Sequence, residues 1–325
     1  MDNFQDIVIS SRIRLARNFS DVVFPNKIKT KLEADSVICR VFELLKNYEN
    51  YKVKDLDKNI LNSLQEKHLI SEELVKNEQF GALSLSHDET ISIMINEEEH
   101  LREQCILKGF NLDEALEKLN EVDDLLLENL PIAYSSKYGF LTTCPSNLGT
   151  GMRASVMLFL PALTLTKNLE PIMNTLHKVG LTVRGRYGEN SGYDGFMFQI
   201  SNSQTLGVSE QQIISNVTTA ILKICEKECD AREKILSGNF SELKDTIFRA
   251  YGTLKYAYKL SLSEAIKLLS QVKFGLSLGL FDFEIEGIDE LFDEIQSYSL
   301  KTIKGEDIEG EDIDIFRAEY ISSKI

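Results

Sequence analysis

Apolar residues at Val37, Ile38, Val41, Phe42 and Leu45 fall on one face at helical spacing and predict a helix over residues 33–46. Residues 111–130 repeat that pattern and open on Asn-Leu-Asp-Glu, an N-cap residue followed by first-turn acids. The longest helical pattern covers 209–236, with Ser209-Glu210 as its start signal. Two shorter helices are predicted over 241–260 and 263–273, split near Ser261. Strand candidates are 91–95, 139–143, 181–187 and 196–201, short runs rich in β-branched or aromatic residues between polar or Gly positions. Strands and helices therefore mix between about 80 and 205, and everything after about 235 reads helical. Gly238-Asn239 interrupts the helical pattern, which predicts a first domain over 1–235 and a second over 236–325. The acid-rich stretch 305–314 reads as a solvated loop or a helix entrance.

Composition narrows the picture. With 325 residues, 43% hydrophobic and 27% charged, the chain can bury a sizeable core, and wholesale disorder is not expected. Lys and Arg total 36 against 51 Asp and Glu, a net charge of -15 that repels nucleic acid and anionic membranes unless a local basic patch exists. No apolar run approaches the roughly 18 residues of a membrane helix. The opening MDNFQDIVIS lacks the pattern of a signal peptide, and five scattered cysteines do not make a disulfide framework. A soluble cytoplasmic protein is expected. Neither a P-loop nor the H-R-D and D-F-G elements of ordinary protein kinases occur. H-E-x-x-H and C-x-x-C are absent too, so no protein-held metal is expected.

Arginine is the informative residue. The chain holds 25 Lys and 11 Arg, yet Arg gathers in short segments: three in Ser10-Ser11-Arg12-Ile13-Arg14-Leu15-Ala16-Arg17, one beside two glycines in Gly149-Thr150-Gly151-Met152-Arg153, and two in Arg184-Gly185-Arg186-Tyr187-Gly188-Glu189. Arg102 follows the acidic run Glu97-Glu98-Glu99. Arginine suits bidentate phosphate recognition, and glycine lets backbone approach an anion. Arg12 and Arg14, two apart, share one side of a strand. Surface ion pairs in an acidic protein are the competing explanation; the Gly-flanked clustering favours a polyphosphate ligand. Carboxylates near a cationic phosphate cradle would suit a positively charged nucleophile, since they can bind it and accept its proton. Cys144 ends a strand pattern and opens the Gly-rich loop Pro145–Gly151, where amides and Arg can lower a thiol pKa; a small buried hydrophobe is the alternative.

The segments SSRIRLAR (10–17), NEEEHLR (96–102), CPSNLGTGMRASV (144–156) and RGRYGE (184–189) resemble the ATP:guanido phosphotransferase, or phosphagen kinase, family. EKHLIS (66–71) and FQISNSQTLGVSE (198–210) strengthen the likeness to its bacterial protein-arginine kinase branch, as does SSRIR beginning at residue 10, which leaves no room for the helical N-terminal domain of kinases of free guanidines. The resemblance implies an α+β catalytic domain, an antiparallel β-sheet flanked by helices, followed by a smaller helical C-terminal domain. It implies ATP with Mg²⁺ and phosphoryl transfer to arginine residues of proteins. Ser10, Ser11, Arg12, Ile13, Arg14, His68, Arg102, Arg153, Ala154, Ser155, Val156, Met157, Arg184, Gly185, Arg186, Tyr187, Gly188 and Glu189 are its implied nucleotide site. Glu98 is the implied catalytic base, Glu189 a second carboxylate on the guanidinium, and Cys144 the thiol beside it. Implied partners are a McsA-type activator, a CtsR-type repressor, a Clp chaperone-protease and a second copy of the chain, in a stress-response setting. In the C-terminal region the family's phosphoarginine-binding motif matches Asp314, Arg317 and Ala318, but Ile313 stands where an Arg is expected. Two alternatives remain: a kinase of a small free guanidine, and a silent phosphoarginine-binding adaptor.

Overall fold

The computed structural model describes residues 4–185, 194–238 and 240–325. In chain order its strands are β1 (Val8–Arg17), β2 (Glu49–Lys52), β3 (Ala82–Leu85), β4 (Ile91–Ile95), β5 (Leu101–Lys108), β6 (Tyr134–Ser135), β7 (Gly139–Phe140), β8 (Met152–Phe159), β9 (Leu181–Gly185) and β10 (Met197–Asn202). The helices are α1 (Lys31–Leu44), α2 (Lys58–Glu66), α3 (Glu72–Lys76), α4 (Leu112–Asn129), α5 (Pro161–Leu165), α6 (Leu169–Lys178), α7 (Glu210–Ser237), α8 (Ser241–Tyr256), α9 (Leu262–Ser277), α10 (Ile288–Glu294), α11 (Ser297–Lys304) and α12 (Glu311–Lys324). Eight strands form one antiparallel sheet in the order β2-β3-β4-β5-β1-β8-β10-β9, and β6 pairs with β7 in a separate hairpin. This is the α+β arrangement, an antiparallel sheet with flanking helices and a helical C-terminal region, that the resemblance implies.

Side chains alternate between the faces of a strand, so the register decides what shares a face. Ile13 lies opposite Cys105 and Ala154, and Ile200 opposite Val156. That face is apolar and merges with Val37 and Val41 of α1, Leu116 and Leu119 of α4, and Val217 and Ile221 of α7 in one core. On the other face the centre is polar and open. One end of it is walled by α2 and α3, whose Leu61, Leu64 and Leu74 pack on Leu83, Leu85 and Met94 in a second, smaller core.

The C-terminal helices close against this wall. Glu66 of α2 accepts hydrogen bonds from the backbone N–H groups of Tyr298 (3.1 Å) and Ser299 (2.8 Å), which satisfies donors in the first turn of α11. Lys108 of β5 pairs with Glu290 of α10, and Lys273 of α9 with Asp289 at 2.6 Å.

Several element boundaries differ from the sequence pattern for local reasons. Helix α1 starts at Lys31 because Thr30 and Glu33 form a reciprocal capping box. Asn111 does not cap α4 with its side chain, which instead donates to the Lys108 carbonyl at 2.7 Å. The predicted strand 139–143 is cut to Gly139–Phe140, because the N–H groups of Thr143 and Cys144 are taken by the Glu99 carboxylate at 2.6 and 3.1 Å. Helix α8 ends at Tyr256, and α9 runs from a Ser261 cap to Ser277. Within 305–314, a loop leads to the start of α12 at Glu311.

Candidate functional site

Five arginines stand on four strands of the open face. Arg14 lies directly opposite Arg153 on β8 and Gln104 on β5; Arg12 lies opposite Ser155 and Ile106. Arg102 shares the face of Gln104, two residues on, and Arg184 reaches it through the pairings Arg184–Gln199 and Gln199–Met157. Directly opposed like charges destabilise a sheet. The physical consequence is visible in the protonation equilibria. Burial, then Arg102 and Arg153, lower the Arg12 pKa to about 10. Burial and then Arg12, Arg102 and Arg153 hold Arg14 well below the ordinary guanidinium value, against a small opposing pull from Glu97. Arg153 is lowered by burial and by Arg184 and Arg102. The buried Nε atoms of Arg12 and Arg14 have no hydrogen-bond partner among the described residues. Phosphate is the anion for which converging guanidinium forks of this kind are shaped.

Two other members of the cluster are held by neighbours. Arg102 donates to Glu97 at 2.6 Å, and Glu97 also accepts from the Ser71 hydroxyl at 2.5 Å. Arg153 donates to the Ser201 hydroxyl at 2.9 Å and to Thr182 at 3.3 Å.

Beside the arginines, β4 turns into β5 through Asn96–His100, with Asn96 in the left-handed region at φ 57°. The turn gives three consecutive carboxylates three different surroundings. Glu97 is buried against Arg102 and Ser71. Glu99 is fully buried and accepts from Asn18 Nδ2 (2.5 Å), Asn147 Nδ2 (3.0 Å) and the Thr143 and Cys144 amides. Glu98, at the tip, is exposed, and the contact to its carboxylate is Asn147 Nδ2 at 3.5 Å. Glu99 thus ties the loop bearing Cys144 to the turn bearing Glu98. Cys144 is half-buried, its Sγ 3.1 Å from the Ser146 hydroxyl.

A cleft of about 970 Å³ runs along the arginine face, lined by Ser10, Arg12, His68, Ser155, Met157 and Gly185 among others. A second recess of about 440 Å³ shares Arg12 and His68 and adds Arg14, Arg102, Gln104 and Ser71. These are sizes suited to a nucleotide and its phosphates. The side chains of Ser11, Ile13, Ala154 and Val156 lie on the opposite face, wholly buried, so those four expected nucleotide contacts do not line the cleft. Ser11 instead donates to the Gly109 carbonyl at 2.8 Å. Arg186, Tyr187, Gly188 and Glu189 lie outside the described residues. Sequence reasoning missed Glu99, Gln104, Ser71 and Asn147. The alternation in Leu101–Lys108, with Arg102 and Gln104 two apart, was the signal available for Gln104.

The C-terminal motif is elsewhere and closed. Arg317 is 1% exposed and donates to the carbonyls of Leu260 (2.8 Å) and Ile295 (2.9 Å) and to Asp314. Ile313 and Ala318 are buried too. In this conformation Arg317 clamps three C-terminal segments together and presents no open anion site.

His100 anchors the turn from behind: Nδ1 accepts from the Phe19 amide (3.0 Å) and Nε2 donates to the Val23 carbonyl (2.9 Å). Burial lowers its pKa to about 4. Between about 4 and 6.5 the unfolded chain therefore binds a proton that the folded protein refuses. Stability associated with His100 is complete above pH 6.5 and is lost as pH falls toward 4, by up to about 3 kcal/mol. The His100 ring protons, followed by NMR, are expected to titrate near pH 4 in the folded protein; titration near 6.5 would overturn this.

Comparison with known proteins agrees with this geometry. Residues 29–231 match the family model of the ATP:guanido phosphotransferase C-terminal catalytic domain, and residues 240–325 that of the protein-arginine kinase McsB C-terminal domain. The chain is 43% identical to the protein-arginine kinase of Clostridium kluyveri over 98% of its own length and 94% of that protein's. It is 40% identical to that of Caldanaerobacter subterraneus subsp. tengcongensis, over 99% and 97%. Among solved structures, the duplicated taurocyamine kinase of Schistosoma mansoni with bound transition state analog components superimposes with a TM-score of 0.63 at 27% identity, covering 69% of this chain and 33% of that one. A lombricine kinase gives 0.62 at 25% identity, covering 73% and 70%. With its two parts matching in sequence order and its relatives alike over nearly their whole length, the chain belongs to the ATP:guanido phosphotransferase family, in the protein-arginine kinase branch.

Proposed function

We infer that the chain is an ATP-dependent protein-arginine kinase, transferring the γ-phosphoryl group of ATP to a guanidino nitrogen of arginine residues in proteins. The carrying observation is the convergence of five guanidinium groups on one sheet face, with the buried Nε atoms of Arg12 and Arg14 unpaired among the described residues, beside an exposed carboxylate. The phosphates lie against Arg12, Arg14, Arg102, Arg153 and Arg184, and the nucleoside lies toward His68, Ser155 and Met157. The substrate guanidinium enters between Glu98, Asn147 and Cys144. A protonated guanidinium is a poor nucleophile, so a carboxylate must take a proton as attack begins. Glu98 accepts it; the nitrogen–phosphorus bond forms as the bond from phosphorus to the ADP oxygen breaks, and that oxygen keeps the electron pair. Glu189 is the second carboxylate in this reading, and Cys144 tunes the charge of the bound guanidinium. Phosphoryl transfer of this kind is mostly positioning and charge stabilisation.

No group of three or more Asp, Glu, His or Cys side chains among the described residues forms a metal cage. Mg²⁺ bound with nucleotides takes its ligands largely from phosphates and water, so the residues present fit an ion carried in on ATP. Bound there, Mg²⁺ would supply positive charge against that of the phosphates, beside Arg12, Arg14 and Arg102.

The reading extends to a catalytic unit over 1–235 and a C-terminal unit over 236–325 that serves dimerisation or regulation. It places the enzyme in the cytoplasm, with a McsA-type activator, and has it mark proteins for Clp-type degradation and act on a CtsR-type repressor. No helix among the described residues is long and apolar enough to cross a membrane.

The test is incubation with γ-labelled ATP and either an arginine-containing protein or free arginine. Acid-labile label is expected on the protein. Label on the free amino acid alone would make this a small-guanidine kinase, and label on neither would make it an adaptor.

A further inference from the structure

The hairpin β6–β7 and the segment Thr205–Gln211 leave between them a groove of about 520 Å³, distinct from the nucleotide cleft. Its rim is apolar although open to water: Tyr134 is 63% exposed, Tyr138 44% and Leu206 45%. Three large apolar side chains around one groove mark a contact surface better than scattered ones do. The floor is rigid backbone. The Phe140 amide donates to the Gly149 carbonyl at 2.8 Å, and the Thr205 hydroxyl to the Leu148 carbonyl at 2.7 Å. A Cβ at Gly139 would meet the Gly149 carbonyl at 2.4 Å, and one at Gly149 the Thr205 carbonyl at 2.3 Å, so only glycine permits this contact. Phe140 is pinned beneath the Arg17 guanidinium, 3.6 Å from the ring centre, while Arg17 grips Asp123 of α4 at 2.7 Å.

One end of the groove is acidic. Glu210, the first residue of α7, is half-buried, and its carboxylate accepts no hydrogen bond from the described residues. Burial, with Asp123 and Asp124 and against Arg17, pushes its carboxyl above the usual carboxylate range, so a cation there would be welcome.

The groove also adjoins the reaction centre. Thr150 lines it, and Asn147, three residues earlier on the same loop, contacts Glu98 and Glu99. Three residues of chain span at most about 11 Å. A polypeptide lying in the groove can therefore send an arginine side chain, itself long and unbranched, toward Glu98.

We propose that this groove binds the substrate polypeptide beside the arginine being phosphorylated, as an extended segment that lays its chain on Tyr134 and Tyr138 and pairs a basic side chain with Glu210. The inference rests on the protein-arginine kinase reading and adds a preference for basic flanking sequence. An enzyme with net charge -15 draws basic segments in the same sense.

The experiment uses the full chain, ATP and two synthetic peptides that differ only in flanks, one arginine set among lysines or among glutamates. Wild type is expected to favour the lysine-flanked peptide in kcat/KM by about tenfold, and Glu210→Lys to reverse the preference. Tyr134→Ala with Tyr138→Ala is expected to raise KM for both peptides about tenfold, with KM for ATP and the melting temperature unchanged because both rings are exposed. If wild type phosphorylates the peptides while these variants keep its KM and flank preference within about twofold, the groove is not the docking site. A wild type that labels neither peptide would instead defeat the kinase reading itself. Concentration-dependent dimerisation abolished by the tyrosine variant would assign the groove to a second copy and overturn the proposal.

Discussion

Glu98→Ala is expected to lower kcat for phosphorylation of an arginine-containing protein by about 10²–10⁴-fold while leaving ATP affinity nearly unchanged. Three carboxylates stand in a row, and their surroundings separate their work. Glu97 is neutralised by Arg102 and accepts from Ser71, and Glu99 is saturated by two backbone amides and two side-chain amides. Glu98 alone of the three projects into solvent, next to the loop of Cys144. A base must reach the incoming guanidinium with lone pairs to spare, which Glu99 lacks. Single-turnover assays of acid-labile phosphate on protein, beside an ATP-binding titration, measure the two effects separately. Full activity in Glu98→Ala would remove Glu98 from the role of base.

Arg14→Met should produce opposite effects on activity and on stability. Arg14 faces Arg153 across β1 and β8 and is lowered well below its ordinary pKa by burial and by three other arginines. The folded protein therefore holds the Arg14 proton less tightly than the unfolded chain does. The sign follows: the penalty is fully present below the folded-state value and lifts as pH rises through it. Replacing the charge by an apolar side chain of similar length should raise the unfolding free energy without nucleotide by about 1–3 kcal/mol. The same change removes a cation from the transferring phosphates, and kcat/KM should fall by about 10³-fold or more. Thermal unfolding without ATP reads the first effect and steady-state kinetics the second. A variant that is both less stable and fully active would contradict the assignment of these arginines to phosphate.

Closeness of the arginine-face cleft to the C-terminal helices follows from two contacts distant in sequence. Glu66 caps α11, and Lys108 pairs with Glu290, so Asp289, Glu290 and Asp293 of α10 border the cleft. Family resemblance raised the motif around Arg317 as an anion site, yet its guanidinium is buried among carbonyls of its own chain. Such carbonyls come from residues far apart in sequence, and only the packed helices bring them together.

Alternation along Arg12-Ile13-Arg14 already told that two guanidinium groups share a face, and the run Glu97-Glu98-Glu99 that acids lie near them in the chain. The pattern did not pick out β5 or β8, because Arg102, Gln104 and Arg153 interrupt their apolar runs. Charge in a strand looks like a loop until the face it occupies is known. Strand register then decided everything else: a slip of one residue between β1 and β8 would have sent Arg153 into the core and left Arg14 facing a methionine or an alanine. Which of three neighbouring carboxylates stays open was likewise decided by a left-handed turn at Asn96 and by amides arriving from residues 143–147. Residue type and spacing act locally and are legible in one dimension; the pairing of distant strands, and the desolvation it imposes on charge, exists only once the chain has folded.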